Sequence, residues 1–275
     1  MKIMLITDVE GVSGVLNFAD WCTPDSRYYE KAQRLLTLEA NAVIDGFFAG
    51  GAKEILVVDG HGPGAIDPEL LDERVELQRG QASPVWPFTL DASFDGIAWV
   101  GQHAKSGTPW SHITHTGTFA VKDMTVNGIS IGEFGEMAYA ASELNVPVIF
   151  AGGEQAFAEE AAELVPGLVT AGTKRGCNSE ENLSEATAEV YEKSKLSAIH
   201  LSPAKARAML REGALHAMEK LRNNIKPFPQ PVLSAPYEIK TVFRKIEARP
   251  DAPQVLYKRH DKSFIAALNA PYTTE

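Results

Sequence analysis

Cysteine is scarce in this chain: 275 residues contain two, Cys22 and Cys177. They stand far apart with no Cys-x-x-Cys pair, which excludes a disulfide framework and a zinc ribbon. Positive charge is also short. Lys and Arg number 26 against 36 Asp and Glu, a formal net charge of -10, and no basic cluster compensates locally. Nucleic acid and anionic membrane surfaces need concentrated Lys and Arg, so neither is an expected partner. No apolar run approaches the ~20 residues of a membrane-spanning helix. The run after Met1-Lys2 ends at Asp8, too short for a signal-peptide core. These absences together lead to the expectation of a cytoplasmic protein.

What is present suits a soluble α/β fold. At 44% hydrophobic residues, the chain can build one large domain or two smaller ones. Apolar runs at Ile3–Ile6, Glu54–Val58, Ile97–Val100 and Val146–Ala151 have the length of buried strands. Between the first two, residues 26–48 carry a helical stripe (Ala32, Leu35, Leu36, Ala40, Val43, Ile44, Phe47), with Asp25 or Ser26 as N-cap and Gly50-Gly51 as stop. Strand, helix and strand in that order imply a parallel crossover. Strand 118–126, the turn signal Asn127-Gly128 and a return at 129–131 read as a hairpin, followed by a helix over 132–144. Further helices are expected at 154–164, 179–195 (a Glu-rich, solvated face with Glu180, Glu181, Glu185, Glu189 and Glu192) and 203–222, with a strand at 168–173. Residues 226–236, with four prolines, read as a linker. They lead to strands 239–244 and 254–257 capped by 264–268. The expected fold is α/β, a mostly parallel central sheet flanked by helices, with domain 1–225 and a smaller C-terminal α/β part, 226–275.

The chemistry gathers at strand ends. Asp8 and Glu10 follow the first strand, His61 the second and His103 the third, and Glu133 begins the helix after the hairpin. Asp8 and Glu10 stand two apart, so extended backbone would point both carboxylates to one face, ~7 Å apart at Cα. Two acids so placed repel unless a cation or water lies between them. The loop Asp59-Gly60-His61-Gly62-Pro63-Gly64 lacks the Gly-x-Gly-x-x-Gly spacing of a dinucleotide fingerprint. In a parallel sheet the C-terminal strand ends share one crevice, so these residues can converge. Five N/O ligands exceed the need of one tetrahedral zinc but suit two metals sharing a carboxylate, with Asp8 the candidate bridge. Imidazole and carboxylate favour zinc, manganese or iron. Singly, each strand-end histidine also reads as an ordinary loop residue, and Glu133 as a charge favourable to the helix dipole.

The motifs Asp8-x-Glu10-Gly11-x-Ser13-Gly14, Asp59-Gly60-His61, Gly101-Gln102-His103-Ala104, Thr114-His115 and Gly132-Glu133-x-Gly135 keep their order over residues 1–175. With Tyr29, Thr37, Glu39, Asn41 and Leu201–Ala206, this pattern resembles the DppA-type D-aminopeptidases. The resemblance implies a dinuclear zinc peptidase that removes N-terminal residues, preferentially D-amino acids, from short peptides. It also implies a homodecamer of two stacked five-membered rings. By position it makes Asp8, Glu10, His61, His103 and Glu133 ligands of two Zn2+ per subunit, Asp8 bridging, and His115 the catalytic histidine. A metal-activated water then supplies the nucleophile, and His115 serves proton transfer or oxyanion stabilisation.

His112 competes with His115 and otherwise reads as a loop residue near the entrance. His200, His216 and His260 read as surface or helix residues, and Glu136 and Glu154 as either cavity-lining or exposed. Segment 174–200 is longer than the family pattern, and Ser83-Pro84-Val85-Trp86-Pro87 richer in proline and aromatic surface. Both bear on substrate choice and ring geometry. Two alternatives stay open: a metal-dependent amidase acting on a non-peptide or L-configured amide, and a non-catalytic ring-forming binding protein.

Overall fold

A computed structural model describes residues 1–80, 83–179, 183–223, 228 and 230–275. The elements run β1 (Lys2–Thr7), α1 (Phe18–Trp21), α2 (Tyr29–Ala49), β2 (Glu54–Asp59), β3 (Glu76–Gln78), β4 (Gly96–Gln102), β5 (Val121–Val126) and β6 (Ile129–Ser130). There follow α3 (Glu133–Glu143), β7 (Val148–Glu154), α4 (Gln155–Leu164), β8 (Val169–Gly176), α5 (Ala188–Glu192), β9 (Ala198–His200), α6 (Pro203–Asn223), β10 (Tyr237–Phe243), β11 (Val255–His260) and α7 (Phe264–Asn269). No helix among the described residues is long and apolar enough to cross a membrane.

The main sheet has the order β3-β2-β1-β4-β7-β8-β9, parallel throughout except for β9, which pairs antiparallel with β8. Its central strands β1, β2, β4 and β7 read as largely apolar runs because both faces are covered. Alternate residues of β1 serve the two faces. Ile3 and Leu5 pack with Val43, Phe47, Leu210 and Met218 of α2 and α6. Met4 and Ile6 pack with Trp99, Phe134 of α3, Phe157 of α4 and Phe264 of α7. Gly46 lets α2 and α6 approach: a Cβ there would lie 2.4 Å from the Arg211 carbonyl oxygen.

From β1 the chain steps outward to β2 and β3, then returns to β1's other side for β4 and β7. The strand order therefore reverses between β1 and β4, the point at which such sheets open a crevice beyond their C-terminal ends. Here the two strand exits touch backbone to backbone. Gly11 N–H donates to the Gly101 carbonyl at 2.7 Å, and Asp8 N–H to the Val100 carbonyl at 3.0 Å. Gly101 adopts a φ of +75°, and a Cβ on it would fall 2.0 Å from the Asp8 carbonyl oxygen. The β4–β7 register shifts between Trp99 and Gln102; such an irregularity re-aims the residues after it.

The second sheet is antiparallel, in the order β11-β10-β5-β6. Asn127 (φ 49°) and Gly128 (φ 83°) form the β5–β6 turn with both residues in the left-handed region, as the Asn-Gly signal requires. This hairpin delivers Glu133 to the start of α3. The C-terminal strands β10 and β11 extend the same sheet, so segment 226–275 shares hydrogen bonds with the hairpin. The boundary expected at 225/226 falls within residues 224–227, outside the described residues.

Several expectations need correction. The first long helix starts at Tyr29 rather than Ser26: the Ser26 hydroxyl donates to the Ala19 carbonyl and accepts from Thr23 N–H, so it cannot cap. β5 begins at Val121, not 118. Of the Glu-rich helix expected over 179–195, Glu180 and Glu181 lie outside the described residues, and what is described is the five-residue α5. The short elements α1, β3 and β9 were not expected. Part of the 226–236 linker lies outside the described residues, and 230–236 form neither helix nor strand.

Gly101→Ala should lower the unfolding free energy by about 2–4 kcal/mol, because left-handed strain adds to a backbone clash. Urea denaturation measures it, and a loss under about 0.5 kcal/mol would contradict the close strand-exit contact.

Candidate metal centre

The residues expected to bind metal do converge. Asp8 and Glu10 leave β1 in a turn rather than in extended backbone (Val12 N–H to the Val9 carbonyl, 3.2 Å), and the turn brings both acids to His61. His61 Nδ1 lies 3.2 Å from Asp8 Oδ1 and 3.2 Å from Glu10 Oε2. On the β4 side, His103 Nε2 lies 3.3 Å from Asp8 Oδ2 and 3.6 Å from Glu133 Oε1. The two oxygens of Asp8 thus face the two imidazoles. His115 stacks on His103 with ring centroids 4.1 Å apart. Ligand atoms of Asp8, Glu10 and His103, and of His103, His115 and Glu133, form two sets each within 4.8 Å of one another.

Each histidine is oriented through its other nitrogen. His61 Nε2 contacts the Cys22 carbonyl at 2.7 Å, His103 Nδ1 the Ala104 carbonyl at 2.9 Å, and His115 Nδ1 the Ile113 carbonyl at 3.0 Å. A carbonyl only accepts, so these nitrogens carry the proton when the rings are neutral. The lone pairs of His61 Nδ1, His103 Nε2 and His115 Nε2 are then left to the centre. Carbonyl partners of this kind fix the ring and tautomer of metal-binding histidines.

The electrostatics call for positive charge. Burial alone would keep His61 neutral, yet Glu10 and Asp8 outweigh it and push the imidazole up to about 12. Burial likewise opposes charge on His103, and Glu133 and Asp8 raise it to about 9. Burial and the Glu10 charge raise Asp8, whereas Glu10, against its own burial, is drawn down to about 2 by His61. His115 goes the other way, down to about 4, through burial and the neighbouring charge of His103. The acids around the two rings thus favour positive charge at this point, which a bound cation would supply. Both carboxylate oxygens of Glu10 and His103 Nε2 are buried with no hydrogen-bond partner, although His61 Nδ1 is close to Glu10 in distance. Such groups are rarely left unpaired. Hard oxygens and neutral imidazole lone pairs around one point fit zinc.

A second layer holds these groups; sequence reasoning named Gln102, Glu39 and Glu154 without assigning them this role, and missed Lys174. Gln102 Nε2 donates to Asp8 Oδ2 at 2.8 Å and Glu133 Oε2 at 3.3 Å, tying the acids of two elements together. Gly117 N–H donates to Glu133 Oε1 at 2.7 Å, which anchors the end of the 103–117 loop. Lys174 is buried and donates to the carbonyls of Glu10 and Val15. Glu154 is fully buried, accepting from Ala104 N–H and His112 N–H. Burial raises Glu154 and lowers Lys174, each offset by the other's charge. Glu39 accepts from Ser13 N–H at 3.1 Å, and burial pushes it up to about 8.

His112 is not at the entrance. Its ring is buried, with Nε2 3.1 Å from the Leu16 carbonyl and an edge contact to His200 at 5.5 Å between centroids. Burial and the charge of Lys174 bring it down to about 2. His200 is not a plain surface residue either, since its Nδ1 accepts from Gly14 N–H at 3.1 Å. His216 and His260 are exposed. Cys22 is buried and Cys177 half-buried, and both are free thiols.

Above the centre lies a cavity of about 460 Å³, to which Asp8, Glu10, His61, His115, Glu133 and Glu136 all contribute. Phe18, Trp86 and Phe88 give it an aromatic wall, and Phe119 packs on His115 at 4.5 Å between centroids. The aromatic stretch 83–87 thus reaches the cavity through Val85 and Trp86. Glu136, one turn beyond Glu133, is half-buried there and is pushed up to about 8 by burial and the Glu133 charge.

The D-aminopeptidase family model, Peptidase_M55, matches residues 1–256. A D-aminopeptidase of Bacillus subtilis (strain 168) is 32% identical over 235 residues, which are 84% of this chain and 78% of that protein. The solved structure of the Zn-dependent D-aminopeptidase DppA from Bacillus subtilis, a self-compartmentalizing protease, superposes with a TM-score of 0.82 at 26% identity. The superposition covers 98% of this chain and 95% of that one.

Lys174→Met should cost about 3 kcal/mol or more in denaturant unfolding, as it strands buried carbonyls and the Glu154 carboxylate. A loss below about 1 kcal/mol would mean that Lys174 does not hold the Glu10 loop.

Proposed function

This chain belongs to the D-aminopeptidase family, and from that premise we propose that it is a zinc aminopeptidase releasing N-terminal D-amino acids from short peptides. The reading takes two zinc ions per chain, held by Asp8, Glu10, His61, His103 and Glu133. The observation that carries it is the placement of Asp8, whose Oδ1 faces His61 and whose Oδ2 faces His103. A carboxylate so shared suits a bridge between two cations, with Glu10 on one side and Glu133 on the other.

When bound, the metal pair supplies Lewis-acid polarisation of a carbonyl and eases proton loss from water at neutral pH. The chain's own groups do the rest. Gln102 holds the Asp8 and Glu133 carboxylates toward the centre. The Ile113 carbonyl fixes the His115 ring so that Nε2 is the nitrogen able to accept a proton. Burial keeps that ring neutral at pH 7, so it can take a proton from the attacking water and return it to the departing amine. Phe119 and Phe18, in edge contact with each other, pack against the ring at 4.5 and 6.0 Å between centroids and help bury it. Manganese or iron would meet the same ligand types.

Assembly into two stacked five-membered rings follows the resemblance and is supported by the self-compartmentalizing relative. Ten copies of 29.9 kDa would give about 299 kDa. Cytoplasmic residence belongs to the same proposal and rests on composition.

Hydrolysis of paired D- and L-alanyl peptides, before and after chelation, tests the activity. The D-substrate should be cleaved and cleavage lost with metal. His115→Ala should keep zinc and lose about 10²–10⁴-fold in kcat, whereas Asp8→Ala should lose both. Loss of zinc from the His115 variant would make that residue a ligand, and full activity would remove it from the mechanism. Light scattering should find a mass near that of ten copies; a monomer would contradict the ring assembly.

A further inference from the structure

The cavity over the centre has a polarity that the metal ligands do not explain. Among the described residues, Arg79 is the one Lys or Arg lining it, and Glu136 an acid that holds no place among the proposed ligands. Arg79 follows β3 at one edge of the main sheet, and Glu136 lies on α3, beside the β4 exit. β3 lies on the β2 side of β1, whereas α3 begins at Glu133, to which Gln102 at the end of β4 donates, so the two residues approach the centre from its β2 and β4 sides.

The guanidinium is held in place. Its Nη1 donates to the Ile66 carbonyl at 3.1 Å, and its Nη2 lies 3.5 Å from Asp59 Oδ2. It lies against the Gly64 backbone, where a Cβ would come within 2.3 Å of Nη2. Those contacts occupy two of five N–H donors. The side chain is 40% exposed and faces the cavity. The Asp59 carboxylate is itself used by Ala65 N–H and Ile66 N–H.

We propose that Arg79 receives the C-terminal carboxylate of a short peptide whose first peptide bond lies at the metal centre. The inference rests on the peptidase reading above and names the substrate class: peptides with a free C-terminus and few residues. The guanidinium reaches from β3 back to Asp59, which ends β2 and pairs with Thr7 of β1, one residue before Asp8. Neighbouring strands lie ~4.8 Å apart and extended chain covers ~3.4 Å per residue, so a peptide of about two or three residues spans from the centre to Arg79. A planar, pre-oriented guanidinium with donors to spare is the group best matched to a carboxylate.

The test compares D-Ala tripeptides as free acid and as C-terminal amide, in wild type and Arg79→Gln, with zinc content measured in both. Wild type should show a KM about tenfold or more lower for the acid. Arg79→Gln should erase that difference by raising KM for the acid alone, with kcat and zinc retained, and Arg79→Lys should restore part of it. Equal KM values for acid and amide in wild type would overturn the proposal, even if the variant failed to fold. So would an Arg79→Gln loss that is the same on both substrates. If wild type cleaves neither peptide, the peptidase reading itself fails, and that outcome is distinct from cleavage without discrimination.

Discussion

Three carboxylates, from Asp8, Glu10 and Glu133, meet two imidazoles in a space mostly closed to water, and the design of the molecule answers that concentration of negative charge. Water cannot screen such a group, and like charges this close cannot all remain ionised without positive charge among them. The imidazoles respond in the only way the chain allows, with proton affinities far above an ordinary histidine. A divalent cation answers the same demand while leaving the rings neutral, which their carbonyl partners already favour.

The fold supplies the convergence. The strand order reverses between β1 and β4, and the first strand's exit loop lies directly on the fourth strand's last residues. Only glycine allows this at positions 11 and 101. Lys174 and Glu154 then hold from beneath what the glycines bring together, one bound to the Glu10 carbonyl and the other to the amide after His103. The hairpin and its Asn-Gly turn serve to deliver Glu133 from a different sheet. In this sense the second sheet is part of the site.

Much of this was legible because parallel strands, buried on both faces, appear as short apolar runs that stop where the crevice begins. The polar residue after each stop was therefore marked: Asp8 after β1, His61 just past β2, His103 after β4. Asn127-Gly128 marked the hairpin for an equally local reason. His115 was found through the family pattern, since a histidine in a long loop has no periodic signal of its own. The role of Gln102 was missed because an amide at a strand end has no ligand chemistry to draw notice. Lys174 was missed because the expected strand stopped at 173, whereas β8 runs to Gly176, and a lysine just past a strand reads as exposed. Its partners come from Glu10 and Val15, far away in the chain, and only the closed fold reveals them. The three-residue strands β3 and β9 are too short to show a period. Among the described residues of the Glu-rich stretch only Ala188–Glu192 is helical, anchored by buried Tyr191, and propensity alone does not sustain a longer helix.

The proposed function stands on two cations shared through Asp8. Diffraction from crystals of the zinc-loaded protein at the zinc absorption edge measures this most directly. The account predicts two anomalous peaks within bonding distance of Asp8, one also at Glu10 and His61 and the other at His103 and Glu133. A single peak, or peaks at other side chains, would contradict it.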